Sequence, residues 1–349
     1  MQLQRCVFFL LRFNSLPSWC TRRFCSKVPQ KPPTLEPFVI AKDGRANPSS
    51  LTTKDFLVKN PSGAYTTART TCDGKSLFEW DTHIDRTASS VAAMLSQSPD
   101  DPLNKCLMEK LGQSATLGPR IDSTVSAAVH QYIAAHGNDN ELKVTVLVTW
   151  ADVLANTCKE SDFPGTVMAH ISPLPPIPSS PVKVEIRGAP RSNAAAKDSS
   201  WVAERAPLEA VKRPDMNELL LATDDGKIFE GSQTNFYAVI DGALHTADEG
   251  VLKGTVRRVA LEVCEREGIP VVFAPPQVAG IDTWEGALIS STSRLLLPVH
   301  EMYQPLDISK VSTDADLRRA FEYKASSLTL RLRDWVRAEV EAHSTPITS

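Results

Sequence analysis

What this chain lacks narrows its chemistry before any motif is read. Its 38 Lys and Arg nearly balance 41 Asp and Glu, a formal net charge of −3, so no basic field argues for a nucleic acid or a membrane surface as partner. No apolar run approaches the ~20 residues that cross a bilayer, and Val7 to Leu11 is cut short by Arg12. None of the seven cysteines forms a CxxC pair; the usual spacing of a zinc site or redox couple is missing, and no metal is expected. Cys72, Cys106, Cys158 and Cys264 are scattered and read as free thiols of a reducing compartment. The P-loop, GxGxxG, HExxH and nucleophile-elbow patterns are absent too. The chemistries that depend on them find no support.

The first 35 residues lack Asp and Glu altogether, yet carry Arg5, Arg12, Arg22, Arg23, Lys27 and Lys31 among Phe, Leu, Trp and Ser. A basic, acid-free segment of mixed apolar content reads as an organellar transit peptide. Arg23-Phe24-Cys25-Ser26 resembles a matrix-processing site, so the mature chain is expected to begin near Ser26. The expected location is the mitochondrial matrix, with plastid or cytoplasm as alternatives. An uncleaved basic tail is the plainer reading of the same residues. With the Pro-rich run Pro29 to Pro37, residues 1–37 are set apart from the fold.

What is present is ordinary globular material, 42% apolar and 23% charged over 349 residues, enough for about two domains. Residues 38–171 are expected to form the first. It reads as a Thr-rich strand from Gly63 to Thr70, a turn at Asp73-Gly74, and a strand at Leu77 to Trp80. A helix capped by Asp81 or Thr82 then carries His83 and Arg86 in its first turns. A short helix around Leu107 to Leu111, a helix from Ser123 to Ala135, and strands at Leu142–Trp150 and Gly165–Ile171 follow. Ser172 to Pro181 is Pro-dense, suited to a linker and not to a sheet.

The second domain, 182–345, opens with Val182 to Arg187, whose alternation predicts a half-exposed strand. A helix is expected from Ala194 to Val211, broken at Pro207, and one or two amphipathic helices from Asp316 to Glu341. Between them lies the most informative stretch, Met216 to Arg257. Leu219–Leu221 and Ile228-Phe229 flank Asp225-Gly226; Phe236–Ile240 is followed by Asp241-Gly242; and a helix from Thr255 to Arg266 follows Gly254. Glu230, Ser232, Thr234 and Asn235 sit between apolar runs. Polar groups at the edge of buried strands must find partners or cost stability.

Glu230-Gly-Ser-Gln-Thr-Asn235, then Leu244-His-Thr246, then Leu252-Lys-Gly254-Thr-Val-Arg257 resembles, in order and spacing, the signature of the class IV (fold type IV) pyridoxal-phosphate aminotransferases. That family includes branched-chain and D-amino acid aminotransferases and aminodeoxychorismate lyase. The resemblance covers about residues 60–300. It implies a mixed α/β (α+β) fold with a smaller N-terminal α/β domain and a larger, β-barrel-like C-terminal domain with helices. It also implies pyridoxal 5'-phosphate as cofactor, an amino acid and a 2-oxo acid as substrates, and a homodimer.

Carried over residue by residue, the resemblance makes Lys197, which precedes Glu230 by 33 positions (230 − 197), the imine-forming lysine. Glu230 becomes the partner of the pyridine nitrogen and Asn235 a cofactor contact. Arg86, Thr255, Val256 and Thr292 become phosphate ligands, Tyr65 the active-site aromatic, and Lys143 the candidate for the substrate carboxylate. Thr66 and Thr87 depart from the family's usual Glu and Leu, and Thr255-Val256 stands where Ile-Thr is commoner.

Each residue also has a plainer reading. Arg86 could pair with Asp81 or Asp85 on a helix surface, Lys197 could be an ordinary solvated lysine, the Ser/Thr run at 290–293 could be a turn, and a one-residue register slip would turn Lys143 to solvent. Besides transamination, β-elimination of pyruvate and a catalytically silent binding protein remain open.

Overall fold

The computed structural model describes residues 36–96, 101–151, 163–322 and 326–347. The expected leader up to residue 35 and Cys158 lie outside them. The described chain runs β1 (Phe38–Lys42), β2 (Arg45–Ser49), α1 (Thr53–Lys59), β3 (Ala64–Thr71), β4 (Ser76–Phe78), α2 (Trp80–Leu95), α3 (Pro102–Leu111), α4 (Ser114–His136), β5 (Leu142–Thr149) and β6 (Thr166–Pro173). It continues through β7 (Lys183–Ile186), α5 (Ser200–Glu204), α6 (Ala206–Val211), β8 (Glu218–Ala222), β9 (Ile228–Gly231), β10 (Asn235–Ile240), β11 (Ala243–Thr246) and α7 (Thr255–Arg266). The last elements are β12 (Val271–Phe273), β13 (Gly286–Ser291), β14 (Leu295–Val299), β15 (Glu301–Pro305), β16 (Leu317–Glu322), α8 (Ser327–Ala338) and β17 (Ser344–Pro346).

The first sheet has seven strands in the order β17-β4-β3-β5-β6-β1-β2. Its β-branched sequence separates into two faces because side chains alternate along a strand. Ala64 and Ala68 of β3 and Val144, Val146 and Val148 of β5 join α2 and α4 in one apolar core. The opposite face carries Tyr65, Thr67 and Arg69, paired in register with Leu147, Thr145 and Lys143. That second face is where the chemistry gathers.

The second sheet has ten strands. β10 pairs β9 and β11, and β13 runs antiparallel to it from Asn235↔Ser290 to Val239↔Gly286, so the sheet branches there. Tyr237 and Val239 face a core shared with α7 and α8, whereas Phe236 and Ala238 face a second one with Ile281 and Trp284. The Asp241-Gly242 turn has positive φ at both residues (49° and 71°), the geometry of a two-residue hairpin loop. The last strand, β17, returns to pair β4 of the first sheet.

Several elements depart from the expectations. Residues 194–197 form a turn and a bend, not helix, and α5 starts only at Ser200. The first part of the expected C-terminal helix is β16, claimed by antiparallel pairing with β15. α4 begins at Ser114 and passes through Pro119, because buried Leu117 and Ile121 extend the apolar stripe of Val125 and Val129. Neither Asp81 nor Thr82 caps α2: strand turns to helix at Glu79 with φ 55°, and its carboxylate accepts hydrogen bonds from Arg258 (2.9 Å) and Thr82 (2.8 Å). Cys72 and Cys264 are free thiols as expected, but Cys106 is disulfide-bonded.

β7 is buried and not half-exposed. Glu185 and Arg187 form an ion pair at 2.9 Å with both side chains fully covered. Arg187 also donates to the carbonyls of Ile308 (2.6 Å) and Lys310 (3.1 Å) and to Ser312 Oγ (3.0 Å), binding the loop between β15 and β16 to the sheet. Removing one partner of such a pair strands a charge and costs about 3–5 kcal/mol, whereas replacing both with apolar groups is often neutral. Arg187→Ala is therefore expected to lose about that much stability in urea unfolding. The double variant Glu185→Leu/Arg187→Met should lose far less.

Candidate active site

A cavity of about 550 Å³ lies between the open face of the first sheet and the residues that follow β7, within the ~300–1,000 Å³ of small-ligand sites. Every residue nominated from the sequence lines it: Tyr65, Arg86, Lys143, Lys197, Glu230, Asn235, Thr255, Val256 and Thr292.

Lys197 is set by its backbone. Its N–H donates to Ser90 Oγ (3.0 Å), and its carbonyl accepts from the Tyr65 N–H (2.9 Å). Two residues on, the Ser199 N–H donates to the Gly63 carbonyl (2.9 Å), and Ser199 Oγ accepts from the Gly63 N–H (3.0 Å). Gly63 is required at this junction, since a Cβ there would come within 2.1 Å of the Val148 carbonyl oxygen. The amine lies 4.5 Å above the Tyr65 ring centroid, a cation–π distance. Burial, opposed by Tyr65 and assisted by Arg86, Arg191 and Arg205, lowers its pKa from 10.5 to about 8.

Glu230, on β9, is buried and tied down. Its Oε1 accepts from Arg191 Nη2 (2.7 Å) and Nε (2.8 Å), and its Oε2 accepts from the Leu252 N–H (3.1 Å). The carboxyl's pKa is raised overall: burial pushes it up and outweighs the opposing pull of Arg191, the Leu252 N–H and Lys197. Asn235 donates through Nδ2 to the Leu252 carbonyl (2.6 Å), and its Oδ1 is pressed against Gly254, where a Cβ would meet it at 2.3 Å. Its amide thus braces the turn that leads into α7.

Arg86 is half-buried and lines the cavity. It donates through Nη2 to Thr66 Oγ1 (2.8 Å), its Nε has no protein partner, and burial lowers its pKa to about 10. Thr66 is buried against His83 Nδ1 (2.7 Å) and does not line the cavity, so its difference from the family pattern bears on Arg86 rather than on the pocket wall. Thr255 and Thr292 meet at 3.2 Å through their hydroxyls. Gly254, the N-cap of α7, supplies no side-chain cap, which leaves the first-turn N–H groups for an anion. Lys143 has the register that faces the cavity, paired with Arg69, and burial lowers its pKa.

Three arginines of this cavity had no signature in the sequence: Arg191, Arg205 and Arg294. Arg191 could have been sought as the counter-ion that a buried Glu230 demands. Arg205 carries only the weak hint of Glu209 four residues on, with which it pairs at 2.8 Å. Arg294 is held by Glu218 at 3.0 Å.

The family model for amino-transferase class IV matches residues 63–302. The chain belongs to the class IV aminotransferases. It is similar to a Methanocaldococcus jannaschii protein named "Putative branched-chain-amino-acid aminotransferase", 32% identical over 89 residues, which are 25% of this chain and 31% of that one. It therefore spans about a third of the length of that relative.

Among solved structures, the fold of this class IV aminotransferase is similar to that of a branched-chain aminotransferase from Thermoproteus uzoniensis with norvaline (TM-score 0.63, 16% identity, 89% of this chain and 99% of that chain). It is similar as well to a putative branched-chain amino acid aminotransferase from Thermotoga maritima (TM-score 0.58, 20% identity, 88% and 95%). A third is a hypothetical aminotransferase from Mycobacterium tuberculosis in its PLP-bound form (TM-score 0.58, 16% identity, 87% and 99%).

The cofactor of class IV aminotransferases is pyridoxal phosphate, and the donor set fits it. There is a half-buried amine of lowered pKa, a buried carboxylate, and an anion corner made of Arg86 Nε, the uncapped start of α7 and two hydroxyls. Only the neutral amine attacks an aldehyde. With a pKa of about 8, about a tenth of the chains carry it at pH 7, against roughly 1 in 3,000 for an ordinary lysine. The rate at which the apo protein takes up pyridoxal phosphate, followed by visible absorbance, should rise with pH and reach half its plateau near 8. A midpoint close to 10 would show Lys197 to be unperturbed.

Proposed function

We propose that this class IV aminotransferase moves the amino group of an amino acid to a 2-oxo acid, with Lys197 as both the covalent anchor of the cofactor and the proton carrier. The observation that carries the proposal is the meeting of the Lys197 amine, the buried Glu230 carboxylate and an anion corner in one cavity. Bound pyridoxal phosphate supplies the electron sink for a carbanion at the substrate Cα. In this reading the Glu230 carboxylate, paired with Arg191, would hold a proton at the ring nitrogen. Arg86, the Thr255 and Val256 amides and the Thr292 hydroxyl hold the phosphate. Asn235 acts on the cofactor by holding the Leu252–Gly254 turn. Freed from the cofactor, the Lys197 amine would take the proton from the substrate Cα and deliver it to the cofactor's C4′, the carbon on the other side of the transferred nitrogen.

The finer assignment is to an aliphatic, branched-chain type of substrate. It is supported by the apolar wall of Leu57, Trp201 and Val202 beside Tyr65 and by the names of the structural relatives. Lys143 is the proposed contact of the substrate carboxylate. The division at residues 172–181 into two domains, a homodimer, and the mitochondrial matrix as location belong to the same proposal, the last resting on the acid-free leader.

Borohydride reduction of the holoenzyme followed by peptide mass analysis is expected to find the cofactor on Lys197. Lys197→Ala should lose about 10²–10⁴-fold or more in turnover. Arg86→Met should weaken cofactor binding by about 10- to 100-fold, as loss of a charge-assisted hydrogen bond predicts. A panel of L- and D-amino acids with several 2-oxo acids tests the substrate. Pyruvate release from aminodeoxychorismate with no 2-oxo acid present would overturn transamination in favour of the lyase reading.

A further inference from the structure

We propose that Glu79 is a positioning residue: its ion pair with Arg258 locks the start of α2 to the start of α7 and so fixes the spacing between Arg86 and the α7 amides that form the phosphate corner. The inference rests on the reading of that corner as the cofactor's phosphate site. Neither Glu79 nor Arg258 lines the cavity, so the pair acts through the helices that carry it.

The corner has two halves. Arg86 belongs to α2, which shares the core of the first sheet, and the Thr255 and Val256 amides belong to α7, which shares a core with α8 and the second sheet. One phosphate is gripped by both only if the two helix starts keep a fixed separation, because hydrogen bonds need donor–acceptor distances of about 2.7–3.2 Å.

Glu79 stands where the halves meet, between β4 and α2. Its Oε1 accepts from Arg258 Nη2 and from His343 Nδ1 (2.7 Å), and its Oε2 accepts from Arg258 Nε (2.9 Å) and Thr82 Oγ1 (2.8 Å). The Arg258 contact is therefore two-pronged, the geometry in which a guanidinium fixes a carboxylate in orientation as well as in place. The Glu79 N–H donates to the His343 carbonyl (2.7 Å), and its own carbonyl accepts from the His83 N–H (3.0 Å). With φ at 55°, Glu79 holds a left-handed backbone that a residue other than glycine keeps only where its surroundings over-determine it. Its neighbour Phe78 is fully buried in the core that holds Val256 and Val259 of α7. Burial works to raise the Glu79 pKa, but the hydrogen bonds from Arg258, Thr82 and His343 and the charge of Arg258 bring it below the ordinary value, so the pair is ionic at neutral pH.

Both ends of the pair bear on the corner. The Arg258 N–H donates to the Gly254 carbonyl (3.1 Å), closing the first turn of α7 just after Thr255 and Val256. Glu79 precedes Arg86 by seven residues (86 − 79), about two turns or ~10 Å of rigid helix. Ser90, a further turn along α2, receives the Lys197 N–H (3.0 Å). A shift of the α2 start would thus move the arginine of the corner relative to the amides of α7.

The test compares pyridoxal phosphate with pyridoxal, which lacks only the phosphate, as ligands of the apo protein. The wild-type protein should favour the phosphate form. Glu79→Gln and Arg258→Met should each cut that preference by about 10-fold, with pyridoxal binding nearly unchanged and inorganic phosphate weakened as a competitor by a similar factor. The double variant should be no worse than the weaker single one, because the two residues act as a unit. Removing a negative charge near the corner would by itself strengthen anion binding, so weaker phosphate binding in Glu79→Gln is the mark of lost positioning. An unchanged or stronger phosphate affinity in Glu79→Gln overturns the proposal. So does an equal loss for pyridoxal and pyridoxal phosphate, which would make the pair a fold contact alone. Arg258 is half-exposed, so Arg258→Met carries the same comparison if Glu79→Gln does not fold. A wild-type protein with no preference for the phosphate form would refute the phosphate corner itself, an outcome distinct from a preference that the variants leave intact.

Discussion

The structure depends on a short stitch between distant parts of the chain. Lys197 and Ser199 hydrogen-bond to Tyr65 and Gly63 at the head of β3, and Ser90 of α2 takes the Lys197 N–H. These bonds lay the lysine segment along the open face of the first sheet. They also explain why residues 194–197 are not helical: a continued helix would claim the Lys197 carbonyl, which here accepts from the Tyr65 N–H, and the Lys197 N–H, which here goes to Ser90. Without the stitch the amine would be an ordinary solvated group.

A second constraint is electrostatic. The cavity gathers cations from both halves of the chain, and three of its four arginines are already committed: Arg191 to Glu230, Arg205 to Glu209, Arg294 to Glu218. Such pairs add little net stability once desolvation is counted. They hold charge in place before any ligand arrives, which is the condition for a site to act without reorganising. Arg86 differs, since its Nε finds no protein partner and the neighbouring helix start is uncapped. Protein groups that stay unsatisfied beside an anion corner are what a phosphate would complete.

Much of this was legible beforehand. The Asp-Gly turns, the strands around Glu230 and the helix after Gly254 are local consequences of composition and spacing, and they stand where the residues predicted. The residues nominated for the site all reach one cavity because their motif spacing is itself a record of that geometry. The misreadings share a cause. Val182–Arg187 looked half-exposed because alternation cannot say whether a charge meets water or a buried partner. The segment from 316 looked helical because nothing local reveals that β15 waits to pair with it. Arg191 stayed hidden because its partner, Glu230, lies 39 positions away (230 − 191).

By itself the sequence determined which chemical groups are available, their order, and the local turns and periodicities that make strands and helices, since these are set by backbone sterics and near-neighbour contacts. Only the tertiary structure decided their electrical state. An amine whose pKa burial lowers to about 8 and a carboxyl whose pKa burial raises against the pull of an arginine are products of desolvation and of charges brought close from remote positions. Neither is a property of any residue taken alone.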